Sequence, residues 1–201
     1  MKTKTNFRLL TLMLGLMVTL FACEKSEIEL QDVSSKPTTD AAARGSDLVE
    51  ASYHLDGFNF AKASNGETFG IDGEGILTLH SKSVCGGGIW VHNDANGDEI
   101  ASGSWEVEQL MSFKDYGPSA ALGPDLEFIH AGKSIMRIHL GEPKNVDAIL
   151  TIYCILPEVA TPTSWPEGIK INLQNGGTNF NKVVLGGGTF FAVPASPVCP
   201  D

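Results

Sequence analysis

The chain has 201 residues, with 14 basic and 24 acidic side chains and a formal net charge of −10. A surface of that sign repels phosphate backbones and has no basic stripe, so nucleic-acid binding is not expected. The cysteines are scattered and lack the short paired spacings of a zinc site.

The chain opens with Lys2, Lys4 and Arg8, and no acid precedes Glu24. An apolar run from Leu9 to Ala22 follows, broken by Thr11, Gly15 and Thr19. As a helix this run rises only ~21 Å, short of the ~30 Å hydrocarbon core, which suits a signal-peptide core better than a membrane span. It ends in Leu20-Phe21-Ala22-Cys23. This tetrapeptide resembles the lipobox of bacterial lipoproteins, with Leu three residues before the cysteine and a small residue just before it. The resemblance implies cleavage after Ala22 and acylation of Cys23. Residues 1–22 are then lost, and the protein is held by lipid at the cell envelope, at the outer membrane on its periplasmic face or at the cell surface. The membrane is thus one expected partner, through the anchor alone.

Cleavage removes Lys2, Lys4 and Arg8, so 14 basic residues become 11 against 24 acidic ones, a formal charge of −13. Residues 23–47 carry acids, then serine, proline, threonine and alanine, with no aromatic side chain. Such a segment cannot bury enough apolar surface to fold and is expected to be a flexible linker. Residues 48–193 are one domain's worth of chain, followed by a tail, residues 194–201.

Glycine-rich turns separate β-branched and aromatic residues throughout the domain, and no helical stripe appears. Alternation predicts strands at Ser52–Phe60, Gly75–His80, Gly88–His92, Gly103–Phe113, Lys133–Leu140, Ala148–Leu156, Gly168–Leu173 and Thr189–Val193. The expected fold is all-β: one antiparallel domain, an up-and-down β-barrel in preference to a two-sheet sandwich, because closure removes bare edges. In the fourth strand Trp105, Val107, Gln109, Met111 and Phe113 fall on one face. Asn96-Gly97 marks a hairpin turn before it. Gly86-Gly87-Gly88 and Gly186-Gly187-Gly188 each run into a strand with an aromatic residue, as Trp90 and Phe190, and read as bends or bulges. Gly86-Gly87-Gly88-Ile89-Trp90-Val91-His92 with Ala101-Ser102-Gly103-Ser104-Trp105 resembles small secreted bacterial proteins of no known activity. The resemblance implies a shared β domain and brings no functional residues.

Cys85, Cys154 and Cys199 remain after lipidation, in an oxidising compartment. A Cys85–Cys154 disulfide is favoured, with Cys199 able to replace either partner. Asp94-Ala95-Asn96-Gly97-Asp98 alternates oxygen-bearing side chains as a calcium loop does, but its glycine comes at loop position four and Trp105 stands at position twelve, so an acidic turn is the reading. Neither glycine triplet continues into a phosphate-binding motif, and no catalytic, metal or cofactor set is assigned. Low-specificity ligand-binding candidates are Trp165, in a proline-rich loop, and His92, Arg137 and His139, on strands. The function these features favour is a tethered binding module for a small ligand, a glycan or a partner protein. The alternatives are a small-barrel isomerase or cyclase using His92, Arg137 and His139, and a structural envelope protein.

Overall fold

A computed structural model of the protein describes residues 50–194, apart from His80, Gly176 and Leu185. The expected signal peptide, Cys23, the linker before residue 50 and the tail from residue 195, including Cys199, lie outside the described residues.

The strands are β1 (Glu50–Lys62), β2 (Thr68–Thr78), β3 (Ser83–Asn93), β4 (Glu99–Pro118), β5 (Ile129–Leu140), β6 (Val146–Cys154), β7 (Gly168–Leu173), β8 (Asn179–Phe180), β9 (Lys182–Val184) and β10 (Gly188–Ala192). All belong to one antiparallel sheet in which β1 to β8 pair consecutively, an up-and-down meander. β10 lies along β1, with Ser52 opposite Ala192, and also meets β5, with Phe191 opposite His130. These contacts close β1 to β5 and β10 into a ring of six strands. β9 takes the rest of the β1 edge, with Ala61 opposite Val183. Among the described residues there is no α-helix, only two 3-10 turns at Ala120–Leu122 and Pro124–Leu126.

Alternate residues of these strands fill the interior. Tyr53, Phe69, Ile71, Leu77, Trp90, Met136, Ile138, Leu140, Leu150, Ile152, Phe180 and Phe191 are fully buried. Removing each such side chain from water contributes about 1.5–3 kcal/mol, which outweighs any single polar contact in the domain.

Large interior aromatics need room, and glycines on neighbouring strands supply it. Tyr53 lies opposite Gly75 and Trp90 opposite Gly103, and the half-buried Phe60 lies opposite Gly70 in the same way. A Cβ at Gly75 would stand 2.5 Å from the Tyr53 hydroxyl, and one at Gly70 2.6 Å from the Phe60 ring. Gly86-Gly87-Gly88 accordingly runs through the middle of β3, paired with Gly75, Glu74 and Gly73, and does not form a flexible entry to the strand. The same glycines hid the first half of β2, which begins at Thr68 and not at Gly75.

Two further expectations are corrected. In β4 the pairing slips between Val107 and Gln109 and again between Leu110 and Ser112. A bulge adds one residue and reverses the alternation. Leu110 is therefore 2% exposed in the core, while Met111 is 48% exposed outside. The Cys85–Cys154 disulfide does not form, because Cys154 is a free thiol. It is fully buried at the end of β6, and β4 and β5 separate that strand from the one carrying Cys85. Burial, with Glu167 nearby, pushes the Cys154 thiol up to about 12.

The hairpin turn at Asn96-Gly97 is as expected. The Asp94 carboxylate accepts from the Asn96 and Asp98 backbone N–H groups at 2.8 and 3.0 Å, and these bonds hold its pKa below the usual carboxylate value. Gly97 adopts φ of 96°, which only glycine takes without strain.

Candidate functional site

The turns joining β1 to β2, β3 to β4 and β5 to β6 gather at one end of the meander. His92, near the end of β3, shares the inner face with Trp90, and its ring rests against Phe69 and Phe180 at centroid distances of 5.7 and 5.5 Å. Nε2 stands 3.1 Å from a Glu67 carboxylate oxygen, and Nδ1 stands 3.0 Å from the Lys144 ammonium. Because a carboxylate only accepts, Nε2 carries hydrogen. Lys144 also lies over Phe69 and Trp90, at 5.8 and 5.7 Å. Burial first, then the Lys144 charge, lowers the His92 pKa, while Glu67 opposes the shift. Burial likewise lowers the Lys144 pKa, again opposed by Glu67.

Arg137 and His139 occupy the outer face of β5, between the buried Met136, Ile138 and Leu140. The Arg137 Nε donates to Glu108 at 2.7 Å, and His139 Nδ1 lies 2.9 Å from Asp147. The hydrogen bond to Asp147 raises the His139 pKa. Glu108, His139 and Asp147 bring ligand atoms within 4.8 Å of one another, yet the Arg137 guanidinium already neutralises Glu108. His92 faces inward and these two face outward, so the three side chains do not converge on a cavity.

Trp165 lies in the connection between β6 and β7 and is half-buried. Tyr116 meets its ring edge-on at 5.3 Å, and Tyr153 approaches at 5.5 Å. Lys133 sits 5.3 Å from both the Trp165 and the Tyr153 ring centres. Lys170 lies 5.4 Å from Tyr153, and Lys114 lies 5.5 Å from Tyr116. The pairing explains the cluster: Lys114 is opposite Lys133, which is opposite Tyr153, across β4, β5 and β6. Among the described residues none of these lysines forms an ion pair with a carboxylate. The sequence marked Trp165 alone, because the other members come together only through strand register.

A separate open groove of about 660 Å³ crosses the outer face of β10, β1, β2 and β3. Its floor is the backbone at Gly73, Gly87 and Gly88, and its walls include His54, Asp56, Asp72, Glu74, Ile89 and Phe190. His54 stacks on Phe190 at 4.5 Å, with Nδ1 3.1 Å from Glu74 and Nε2 2.9 Å from the Ser52 hydroxyl. None of the ligand-binding candidates Trp165, His92, Arg137 and His139 lines it. No family model, curated protein or solved structure matches the chain.

Proposed function

We propose that the protein is a binding module, tethered to the cell envelope by lipid on Cys23, which holds an acidic glycan on the face around Trp165. The observation that carries this reading is the convergence of Trp165, Tyr116 and Tyr153 with Lys114, Lys133 and Lys170. The partly exposed rings of Trp165 and Tyr116 offer apolar surface to a sugar, with Tyr153 buried beneath them, and the ammonium groups supply donors for carboxylates or sulfates. Each cation–aromatic contact is worth about 0.5–1 kcal/mol at an exposed site and positions the ammonium groups before a ligand arrives. In a chain with 24 acidic residues, lysines free of acidic partners are the groups left to meet an anion.

Calorimetry with oligogalacturonate, against a neutral oligosaccharide of the same length, tests the proposal. Binding of the acidic oligomer should weaken as salt rises and disappear in Trp165→Ala and Lys133→Ala proteins. At a hundred times its dissociation constant it should add ~2.7 kcal/mol to stability. Equal binding of the neutral oligomer, or binding unaffected by both substitutions, refutes the proposal.

A further inference from the structure

The side chains of Glu67, His92 and Lys144 form a continuous chain, with links of 3.1 and 3.0 Å, at the end of the meander opposite the β6–β7 connection that carries Trp165. The arrangement fixes how many protons it holds. His92 Nε2 donates to Glu67, so the short contact between Nδ1 and the Lys144 nitrogen contains a single hydrogen. Either Lys144 is an ammonium donating to a neutral imidazole, or His92 is an imidazolium donating to a free amine. Both cannot be charged, and Glu67 balances whichever is. Lys144 is held over the rings of Phe69 and Trp90 and remains partly open to solvent.

We propose that Lys144 is an activated amine that condenses with small aldehydes, with His92 as proton carrier and Glu67 as the group that stabilises the imidazolium. The Lys144 ammonium passes a proton to His92 Nδ1, and the freed nitrogen lone pair forms a bond to the aldehyde carbon. The carbonyl π electrons move to oxygen, which takes up a proton, while the nitrogen sheds one. His92 then returns its proton to the hydroxyl, water departs as the carbon–oxygen bond breaks, and a protonated imine remains on Lys144. One aldehyde and one ammonium give one protonated imine and one water, with no oxidant or reductant. A partly desolvated lysine hydrogen-bonded to an imidazole that can take up its proton is an environment in which the free amine becomes accessible near neutrality. This assignment stands on other residues than the glycan reading and does not depend on it.

The test is competitive labelling of the full domain at pH 7 with glycolaldehyde and cyanoborohydride, followed by peptide mass analysis. Lys144 should be modified roughly tenfold faster than the exposed Lys82 and Lys182. In His92→Gln the amide still accepts from Lys144 but takes up no proton, so the preference should vanish. The wild-type preference is readable without any variant, and strand circular dichroism confirms that the variant is folded. Uniform labelling of the wild type, or a preference that survives His92→Gln, overturns the proposal.

Discussion

The Thr189 hydroxyl oxygen lies 2.7 Å from the Tyr153 carbonyl oxygen and 2.5 Å from Glu167 Oε1. A hydroxyl has one hydrogen, and a carbonyl can only accept. The hydrogen is therefore shared between the Tyr153 carbonyl and Glu167 Oε1, and a proton on Glu167 would end that competition by donating to Thr189. The other Glu167 oxygen accepts from the Ile155 backbone N–H. Burial raises the Glu167 pKa, against the opposing hydrogen bonds from Thr189 and Ile155.

The sign of the resulting pH dependence is fixed. A carboxyl whose folded pKa is raised favours the folded state while protonated in it, so its contribution is full below the ordinary glutamate value. It is lost as pH rises through the raised folded value. The difference in denaturant midpoint between wild type and Glu167→Gln should therefore grow with pH in favour of the variant, whose amide donates without ionising. A difference that is constant with pH would show that the Glu167 carboxyl titrates alike in the folded and unfolded chain.

Gly103→Ala should destabilise the domain by about 1–3 kcal/mol or more, as expected for overpacking. Its Cβ would stand 2.3 Å from the Glu142 backbone oxygen and 2.9 Å from the Trp90 ring. Urea denaturation followed by tryptophan fluorescence measures the loss, and an unchanged midpoint would contradict the close approach of β3 and β4.

Cys154 should resist alkylation by iodoacetamide under native conditions and react once the domain is unfolded. The thiol is fully buried, and little of it is thiolate at neutral pH. Cys154→Ser, which places a hydroxyl in the same apolar surroundings, should cost about 1–3 kcal/mol. Rapid native labelling at this position would show that the end of β6 opens locally.

Cys23→Ser should abolish metabolic labelling by fatty acid and leave an uncleaved precursor or a soluble product. The wild type should partition into detergent. Labelling that persists in the variant would mean that the cysteine is not the acylated residue.

The fold was largely legible because the alternation at positions such as Met136, Ile138 and Leu140 directly records which face is buried. It failed where local geometry overrides period two. The bulges in β4 exchange the roles of Leu110 and Met111, and Gly70 and Gly73 look like turn residues although they lie inside β2 beneath aromatic rings. The candidate site was less legible. Trp165 and His92 could be singled out by residue type, but Lys133 and Lys144 look like ordinary solvated lysines. What distinguishes them is the partner across the sheet, a property of register and turn placement that no short window of sequence contains. The disulfide expectation failed for the same reason, since redox compartment says that thiols oxidise but not which pair can meet.

The ring closes through β10, whose partners are Ser52–Asp56 on β1 and Ile129 and His130 on β5. That pairing sets an order of events. A chain synthesised N-terminus first can zip β1 through β5 hairpin by hairpin, since each strand pairs with the one before it. It cannot seal the circle until Gly188–Ala192 has emerged, and this long-range closure is the slow step that topology imposes. Until then two strand edges stand bare, and bare edges recruit strands from other chains. The chain is thus most prone to aggregate just before its last strand arrives, and crowding by neighbouring copies would raise that hazard.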